Sequence, residues 1–155
     1  MRTLGNVIWF ICGGIWAGLG WWIAGIICYI GVITIPFGIA CFRIAQFAFF
    51  PFGKELVDAR LLGEKVSAMS TLGNVLWFVL CGWWVAAVEV ICGLACLVSC
   101  IFVLPVLLGA PAWAIAHFKL ASVALFPLGK RIVTVEEAQH LRKMAAERKF
   151  SHLAR

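Results

Sequence analysis

The sequence has very little charge. Only 13% of its 155 residues are Asp, Glu, Lys or Arg, which is about half of the fraction found in soluble globular domains. Between positions 3 and 53, Arg43 is the only side chain that must carry a charge. A soluble globular domain is therefore excluded, and the 64% of hydrophobic residues indicates that most of the chain lies in a lipid bilayer.

Polar groupings that could support chemistry are also missing. We find no nucleophile with a base and an orienting group, no paired carboxylates, no phosphate-binding loop and no metal-ligand spacing. The seven cysteines all lie in apolar runs, and an odd count there does not make a disulfide framework. Cys92, Cys96 and Cys100 share one helix face, but His117 is the only histidine in an apolar stretch that could complete a metal site. We predict no enzyme, metal or cofactor, and we expect the cysteines to be small buried side chains.

Acidic residues are the scarcer charged class, with 7 against 13 basic ones and a net charge of +6. Basic chains can bind nucleic acid, but these cations flank the apolar runs or lie in the C-terminal tail. They are Lys130, Arg131, Arg142, Lys143, Arg148, Lys149 and Arg155. That distribution is typical of cytoplasmic segments next to a membrane, so we predict contact with the bilayer and no nucleic acid. The N-terminus shows no signal-peptide cleavage pattern, and we expect it to be retained.

What the sequence does contain is an internal repeat. Residues 4–10 (LGNVIWF) recur as residues 72–78 (LGNVLWF), and residues 50–54 (FPFGK) recur as residues 126–130 (FPLGK). Trp16, Gly25 and the pair Phe42-Arg43 also have counterparts, in Trp84, Gly93 and Phe118-Lys119. Such self-similarity indicates two copies of one structural unit, which we place at residues 4–57 and 72–133.

Each unit has the pattern of a long transmembrane helix followed by a shorter return helix. The first apolar run extends from Leu4 to Thr34, longer than the about 20 residues that cross a bilayer. A turn signal, Ile35-Pro36-Phe37-Gly38, precedes a return helix at 37–50. The second unit repeats this with a run at 72–104, a looser turn at 105–111 and a return helix at 112–126. The fold class is therefore predicted as all-α integral membrane protein, with two tandem repeats and a C-terminal cytoplasmic helix.

Two polar segments complete the chain. The polar segment between the units runs from Lys54 to Thr71, with residues 58–71 as the cytoplasmic linker proper, and contains a predicted short helix from Glu55 to Leu62 that Gly63 ends. Residues 134–155 form a basic cytoplasmic helix and tail, which begins at a capping box between Thr134 and Glu137 and runs to about Arg148. This helix could lie on anionic lipid, but its weak apolar face favours a solvated helix or one packed in an oligomer.

The charge distribution predicts a topology. Four spans place the N-terminus, the linker and the tail in the cytoplasm, with both turns, which contain no Lys or Arg, on the other side. The alternative has two full spans with re-entrant return helices, since these helices are short, and it would place the linker outside.

The candidate site consists of the ionisable and polar residues inside the apolar segments. They are Arg43, Gln46, Lys119, Ser122, Glu89 and His117. Arg43 with Gln46, and Lys119 with Ser122, are three residues apart and share a face of their helices. The two cations could extend to the headgroups, pair with Glu89, or line a polar pathway or contact lipid phosphate. His117 could add a titratable group, although a packed neutral histidine is the simpler interpretation.

At these motifs the chain resembles the YccF family of bacterial inner-membrane proteins, which are built from two copies of a short inner-membrane component domain. The resemblance covers nearly the whole sequence. It rests on the paired LGNV openings, Ile35-Pro36-Phe37-Gly38, residues 118–121 (FKLA) with 126–131 (FPLGKR), and residues 133–139 (VTVEEAQ). The turn at 105–111 departs from the family pattern. The resemblance implies a multi-pass protein of the bacterial plasma membrane and brings no established activity.

Two hypotheses about function follow. The first is a homo-oligomeric inner-membrane protein with an ion-conducting pathway, because four short helices barely enclose a polar site and the cations would be better buried between subunits. Its partners would be the bilayer, further copies, and an anionic lipid or a small ion. The alternative is a scaffold or adaptor that transports nothing and binds a partner through the linker and the basic tail. Phospholipid handling by the cations is a weaker third hypothesis.

Overall fold

The computed structural model describes residues 2–153, with the side chains of residues 2–148 and 150. The first hairpin consists of a long helix, α1, at Arg2–Ile30, a short 3-10 turn at Val32–Thr34 and a return helix, α2, at Ile35–Phe49. The second consists of a long helix, α3, at Ala68–Ser99, a short helix, α4, at Val103–Leu108 and a return helix, α5, at Ala110–Leu125. The C-terminal helix, α6, spans Val135–Leu153, so residues 154 and 155 of the predicted tail, among them Arg155, lie outside the described residues.

Helices dominate the fold, as the sequence predicts for a membrane protein. Among residues 2–153, three continuous helical segments are long and apolar enough to cross a bilayer: Arg2–Ile30, Val32–Phe49 (the 3-10 turn together with α2) and Ala68–Ser99. The apolar helix Ala110–Leu125 is shorter. Both return helices begin two residues earlier than predicted. Pro36 and Pro111 lie in the first helical turn, where a proline costs no hydrogen bond because that N–H would have no partner in any case. The chain reverses instead at Gly31–Thr34 and, before α5, at Gly109, which has φ of +99°.

Each long helix contains one π turn, at Phe10–Gly14 in α1 and at Phe78–Gly82 in α3. Both π turns end on a glycine that packs tightly. A Cβ at Gly14 would lie 2.6 Å from the indole nitrogen of Trp9, and one at Gly82 would lie 2.8 Å from the indole of Trp77. These glycines therefore let the long helices pack directly on their own tryptophans and on the return helices.

A two-stranded antiparallel sheet, which the sequence did not predict, joins the hairpins. The strands are β1 at Lys54–Asp58 and β2 at Lys130–Thr134. The predicted helix from Glu55 to Leu62 is wrong, because its first half is β1 and its second half is a 3-10 turn at Ala59–Leu62. Gly63 does end that turn, with φ of +78°. The predicted linker is also shorter, since Ser67 caps α3, which begins at Ala68.

The register of the sheet is symmetric. Leu56 pairs with Ile132 at the centre, and both lie at the third position after a Phe-Pro-x-Gly sequence. A two-fold axis through this central pair therefore exchanges the two strands. The contacts between the hairpins follow the same exchange: Phe37 of α2 packs on Trp77 of α3 with ring centroids 5.5 Å apart, and Trp113 of α5 packs on Trp9 of α1 at 6.3 Å.

The return helices form the core and the long helices surround it. Cys41, Ile44 and Phe47 of α2 and Leu120 and Ala124 of α5 are fully buried. By contrast, α1 and α3 expose large apolar side chains along their length, such as Ile11, Trp16 and Ile27 in α1 and Val79, Trp84 and Ile91 in α3. Such extended apolar surface is stable against lipid tails or other apolar helices, and not against water.

The polar parts of the chain collect on one surface. We call this surface the charged face, and it comprises β1, β2, the turn Ala59–Leu62 and α6, which packs on all three. Ion pairs connect its parts: Arg2 with Glu136, Arg142 with Glu55, and Arg131 with Glu64. The start of α1, the segment between the hairpins and the C-terminal helix therefore lie together.

The capping box predicted at the start of α6 is present. The hydroxyl of Thr134 accepts the backbone N–H of Glu137 at 3.2 Å, and the Glu137 carboxylate accepts the backbone N–H of Thr134 at 2.8 Å. That backbone donor lowers the pKa of Glu137 below its usual value. A hydrogen bond from Arg2 does the same to the pKa of Glu136, and the Glu55 carboxylate raises the pKa of Arg142. All three shifts favour the charged forms that fix α6 to the charged face.

Two glycines of α1 provide a matched test of helix packing. A Cβ at Gly18 would lie 2.2 Å from the ring of Phe49, whereas a Cβ at Gly20 would meet nothing within 4 Å. We expect Gly18→Ala to destabilise the protein by about 1–3 kcal/mol through overpacking. Gly20→Ala should leave stability unchanged or raise it by up to about 1 kcal/mol, because alanine favours the helix. Thermal unfolding of the purified variants in detergent measures both, and an equal change in the two would contradict this packing of α1 on α2.

Candidate functional site

The opening motif of each hairpin holds the end of its return helix. Pro51 has no N–H and follows the end of α2. The N–H of Phe52, four residues after Ala48, donates to Asn6, and the carbonyl of Ala48 accepts the indole N–H of Trp9 at 2.7 Å instead. The side chain of Asn6 donates to the carbonyl of Phe52 and accepts the N–H of Phe52, both at 3.0 Å. The motif therefore supplies the partners that the interrupted helix loses.

The second hairpin has the same contacts. The indole N–H of Trp77 donates to the carbonyl of Ala124 at 2.8 Å. Asn74 donates to the carbonyl of Leu128 at 3.1 Å and accepts its N–H at 2.9 Å. Sequence analysis found the motif but not this role, because the partner of each side chain lies far along the chain.

The two cation-containing pairs differ in their contacts. The Arg43 guanidinium is half-buried and donates to the carbonyl of Lys130 in β2 at 2.7 Å, so it points to the charged face. Gln46 is exposed, as is Ser122, whose hydroxyl donates back to the carbonyl of Lys119 at 2.8 Å. The observed contact of Arg43 is closest to the interpretation in which a long cationic side chain extends toward the polar boundary.

Glu89 and His117 are brought together instead. The Glu89 carboxylate of α3 lies 2.7 Å from Nδ1 of His117 in α5, and both side chains are largely buried. Of the alternatives left open by the sequence, pairing of Glu89 with Arg43 or Lys119 is not the contact that this carboxylate makes here. A carboxylate buried among apolar side chains requires a hydrogen-bonding partner, and the imidazole provides it within the same hairpin.

This pair distinguishes the second hairpin from the first. In the repeat alignment, the position of Glu89 in the second hairpin corresponds to that of Trp21 in the first. The position of His117 corresponds to that of Cys41. The first hairpin thus has Trp21 and Cys41 at the matching places. The His117 ring also contacts Trp9 of the first hairpin, with centroids 5.1 Å apart, so the pair lies where the two hairpins meet.

A cavity of about 500 Å³ opens beside the pair, between α1 and α3. Small residues of α1 make room for it, and they recur at helical spacing: Gly13, Ala17, Gly20 and Ala24. The remaining walls are Trp16, Trp21, Trp77, Val85, Val88, Glu89, Cys92 and His117. Its lining is almost entirely apolar, so the carboxylate and the imidazole are its polar groups. Sequence analysis missed the tryptophans of this site, although the small-residue spacing in α1 was a signal for close approach of another element.

Within residues 2–153, the structure shows no group of three or more His, Cys, Asp or Glu side chains that could hold a metal ion. The cysteines described there are all free thiols. The site itself offers one carboxylate, one imidazole and aromatic rings, which can attract a cation, exchange a proton or accept hydrogen bonds.

Comparisons with known proteins agree with this membrane architecture. The family model YccF, described as an inner membrane component domain, matches residues 4–54 and 72–130. The chain is 33% identical over 155 residues to Inner membrane protein YccF of Escherichia coli (strain K12), and the alignment covers 97% of this chain and 99% of that one. The protein of the same name from Shigella flexneri matches equally well, with 33% identity over 155 residues. No solved structure matches the chain. With the family model covering most of both hairpins and the relatives aligned over nearly their whole length, the chain belongs to the YccF family of inner-membrane proteins.

Proposed function

We propose that the protein is a multi-pass, homo-oligomeric inner-membrane protein that conducts a small cation through the cavity beside Glu89 and His117. The two hairpins are copies of one unit, and the charged face lies in the cytoplasm. The observation that carries the proposal is the Glu89–His117 pair itself, because ionisable groups inside apolar segments are costly and are retained where they serve a pathway or a ligand.

The contacts of the polar segments support the topology. Arg2, Glu64 and the start of α6 all bond to residues of the charged face. The hairpin turns, in contrast, expose only apolar side chains such as Val32 and Ile33, and Val103 and Leu104 in the second hairpin. Lysine and arginine favour the cytoplasmic side, so a cytoplasmic charged face with both turns directed away from it agrees with the composition.

The position of the cavity supports assembly with further copies. It opens between α1 and α3, the helices with the most exposed apolar surface. A carboxylate that faces hydrocarbon through an open cavity is unfavourable. Packing of another copy against α1 and α3 would exclude lipid from the cavity and would leave a passage lined by Glu89.

Ion flux in proteoliposomes tests the proposal. The purified full chain should conduct a small cation such as H⁺, and Glu89→Gln, which keeps the size and removes the charge, should lower the flux by about ten-fold or more. Glu147→Gln is the matched control, since Glu147 is an exposed carboxylate on α6. No flux above protein-free liposomes, or equal flux in Glu89→Gln and the wild type, would contradict conduction through this cavity.

An adaptor that binds a partner through the charged face is the second candidate function. It is favoured by a cleft of about 330 Å³ between the turn Ala59–Leu62 and α6, whose walls include Leu61, Leu62, Leu141 and Met144. Apolar side chains in a cleft on a charged surface are typical of protein docking sites. In-cell crosslinking of the wild type and of Leu141→Asp/Met144→Asp tests it, and the same crosslinked partners in both would contradict it.

A further inference from the structure

We infer that the cavity between α1 and α3 binds a lipophilic organic cation, with the Glu89 carboxylate as its counter-ion and tryptophan rings as its walls. This inference goes beyond the proposed function: it assigns a ligand to the same cavity in the single chain, and it requires neither conduction nor a second copy packed against α1 and α3. It is carried by three observations on the lining residues: their aromatic content, the sign of their charge, and the size and apolarity of the space.

The aromatic content fits a cation. Trp16, Trp21 and Trp77 all line the cavity, and indole is the side chain whose ring face attracts cations most strongly. Trp21 and Trp77 are fixed against each other, with ring centroids 6.5 Å apart and planes inclined by 20°. Both are also buried, so this wall is rigid before any ligand arrives, which reduces the entropic cost of binding.

The lining of the cavity carries no lysine or arginine, and its one carboxylate, that of Glu89, can supply a negative charge. Neutral His117 can donate from Nδ1 to Glu89 across their 2.7 Å contact and leave the negative charge in place. That charge attracts a cation strongly because the surrounding side chains are apolar.

The size and apolarity of the space select the kind of cation. A volume of about 500 Å³ lies within the range of about 300–1,000 Å³ found for pockets that hold drug-sized ligands. A metal ion that enters the cavity would lose part of its hydration shell, and Val85, Val88 and Ala24 offer no oxygen ligands to replace it. An organic cation with apolar substituents has no tightly bound water and gains from burying those substituents.

The cavity is open to the side on which α1 and α3 are exposed, where Trp16 is 74% exposed. A lipophilic cation dissolved in the bilayer could therefore enter directly from the lipid. Two other occupants, a lipid acyl chain and a helix of a second copy, would also suit the apolar walls, but neither uses the negative charge of Glu89. Binding that depends on the charge of the ligand and of Glu89 therefore distinguishes an organic cation from these two occupants.

The experiment compares two probes of the same shape and opposite charge, tetraphenylphosphonium and tetraphenylborate. Equilibrium dialysis of the detergent-purified full chain, corrected with protein-free micelles, should show at least ten-fold tighter binding of the phosphonium. Glu89→Gln should weaken phosphonium binding by about ten-fold or more and remove the preference for the cation. Glu147→Gln should bind as the wild type does. Equal binding of the two probes, or an unchanged affinity in Glu89→Gln, would overturn the inference.

A second variant keeps the test decisive if Glu89→Gln folds poorly. Trp16→Ala removes an exposed ring of the cavity wall, and we expect phosphonium binding to weaken by about three-fold or more; no change in a folded Trp16→Ala protein would count against the site. The flux measurement tests the proposed conduction, and the binding measurement tests the organic-cation site. Charge-dependent binding without flux leaves this inference standing and contradicts the proposed conduction, whereas flux without phosphonium binding does the opposite.

Discussion

Replacement of Trp9 by alanine is expected to lower the free energy of unfolding by about 3–5 kcal/mol, the range measured for large aromatic residues removed from a core. Trp9 is 1% exposed, and its indole N–H donates to the carbonyl of Ala48. The substitution therefore leaves a cavity beside His117 and a buried carbonyl without a partner, and both effects destabilise the fold. Trp77→Ala should have a similar effect, because it has the matching contact with Ala124.

Trp16→Ala is the matched control for Trp9→Ala. Trp16 lies in the same helix, but it is 74% exposed, so its loss should change stability by less than about 1 kcal/mol. Unfolding of the detergent-purified variants, followed by circular dichroism during denaturant titration, gives the comparison. If Trp16→Ala lost as much stability as Trp9→Ala, the opening motif would not be the device that holds each return helix to its long helix.

The second large effect is expected at the Glu89–His117 pair. His117→Leu leaves the Glu89 carboxylate buried without its partner, and removing one member of a buried pair costs about 3–5 kcal/mol. The double variant Glu89→Leu/His117→Leu should recover most of this loss, because replacing a whole buried pair by apolar side chains is often neutral or stabilising. The first hairpin already has apolar side chains at the matching positions, Trp21 and Cys41.

A double-mutant cycle measures this coupling directly. Unfolding free energies of the wild type, the two single variants and the double variant should show non-additive losses, with the double variant more stable than His117→Leu alone. The same cycle on Ser67→Ala and Ser70→Ala, whose hydroxyl oxygens lie 3.1 Å apart at the start of α3, should give a coupling energy below about 1 kcal/mol. Additive losses at Glu89 and His117 would show that the two side chains do not depend on each other.

The helical part of the fold could be predicted because its signals are local. Apolar runs longer than the bilayer requires gave α1 and α3, Gly63 gave the end of a turn, and the Thr134–Glu137 capping box gave the start of α6. Each of these signals lies within a few residues of the structure it determines.

The sheet could not be predicted because each strand depends on a partner strand far away in the sequence. Residues 54–58 have no strong alternation of apolar and polar side chains, and a helix is a reasonable expectation for them. They form a strand because residues 130–134 lie beside them and pair with their backbone, and that pairing depends on how the hairpins pack. Five-residue strands so far apart in sequence leave no local signal.

The candidate site was predicted in part. The apolar surroundings identified Glu89 and His117 as costly residues, but the sequence left open whether Glu89 pairs with Arg43 or Lys119 and did not suggest its pairing with His117. The structure shows that hairpin packing decides the partner: α3 and α5 are neighbours, and their facing residues meet, while Arg43 extends to the carbonyl of Lys130. The roles of Trp21 and Trp77 in the cavity depend on packing between hairpins, which no single apolar run reveals.

We propose that the charged face lies in the cytoplasm, with two membrane-inserted hairpins below it. Cysteine labelling tests this most directly, in a background whose seven cysteines are replaced by alanine or serine. We predict that Ser67→Cys, between β1 and α3, is protected from an impermeant maleimide in intact cells and labelled after permeabilisation. Labelling of Ser67→Cys from outside intact cells would place the charged face on the wrong side of the membrane and contradict the account.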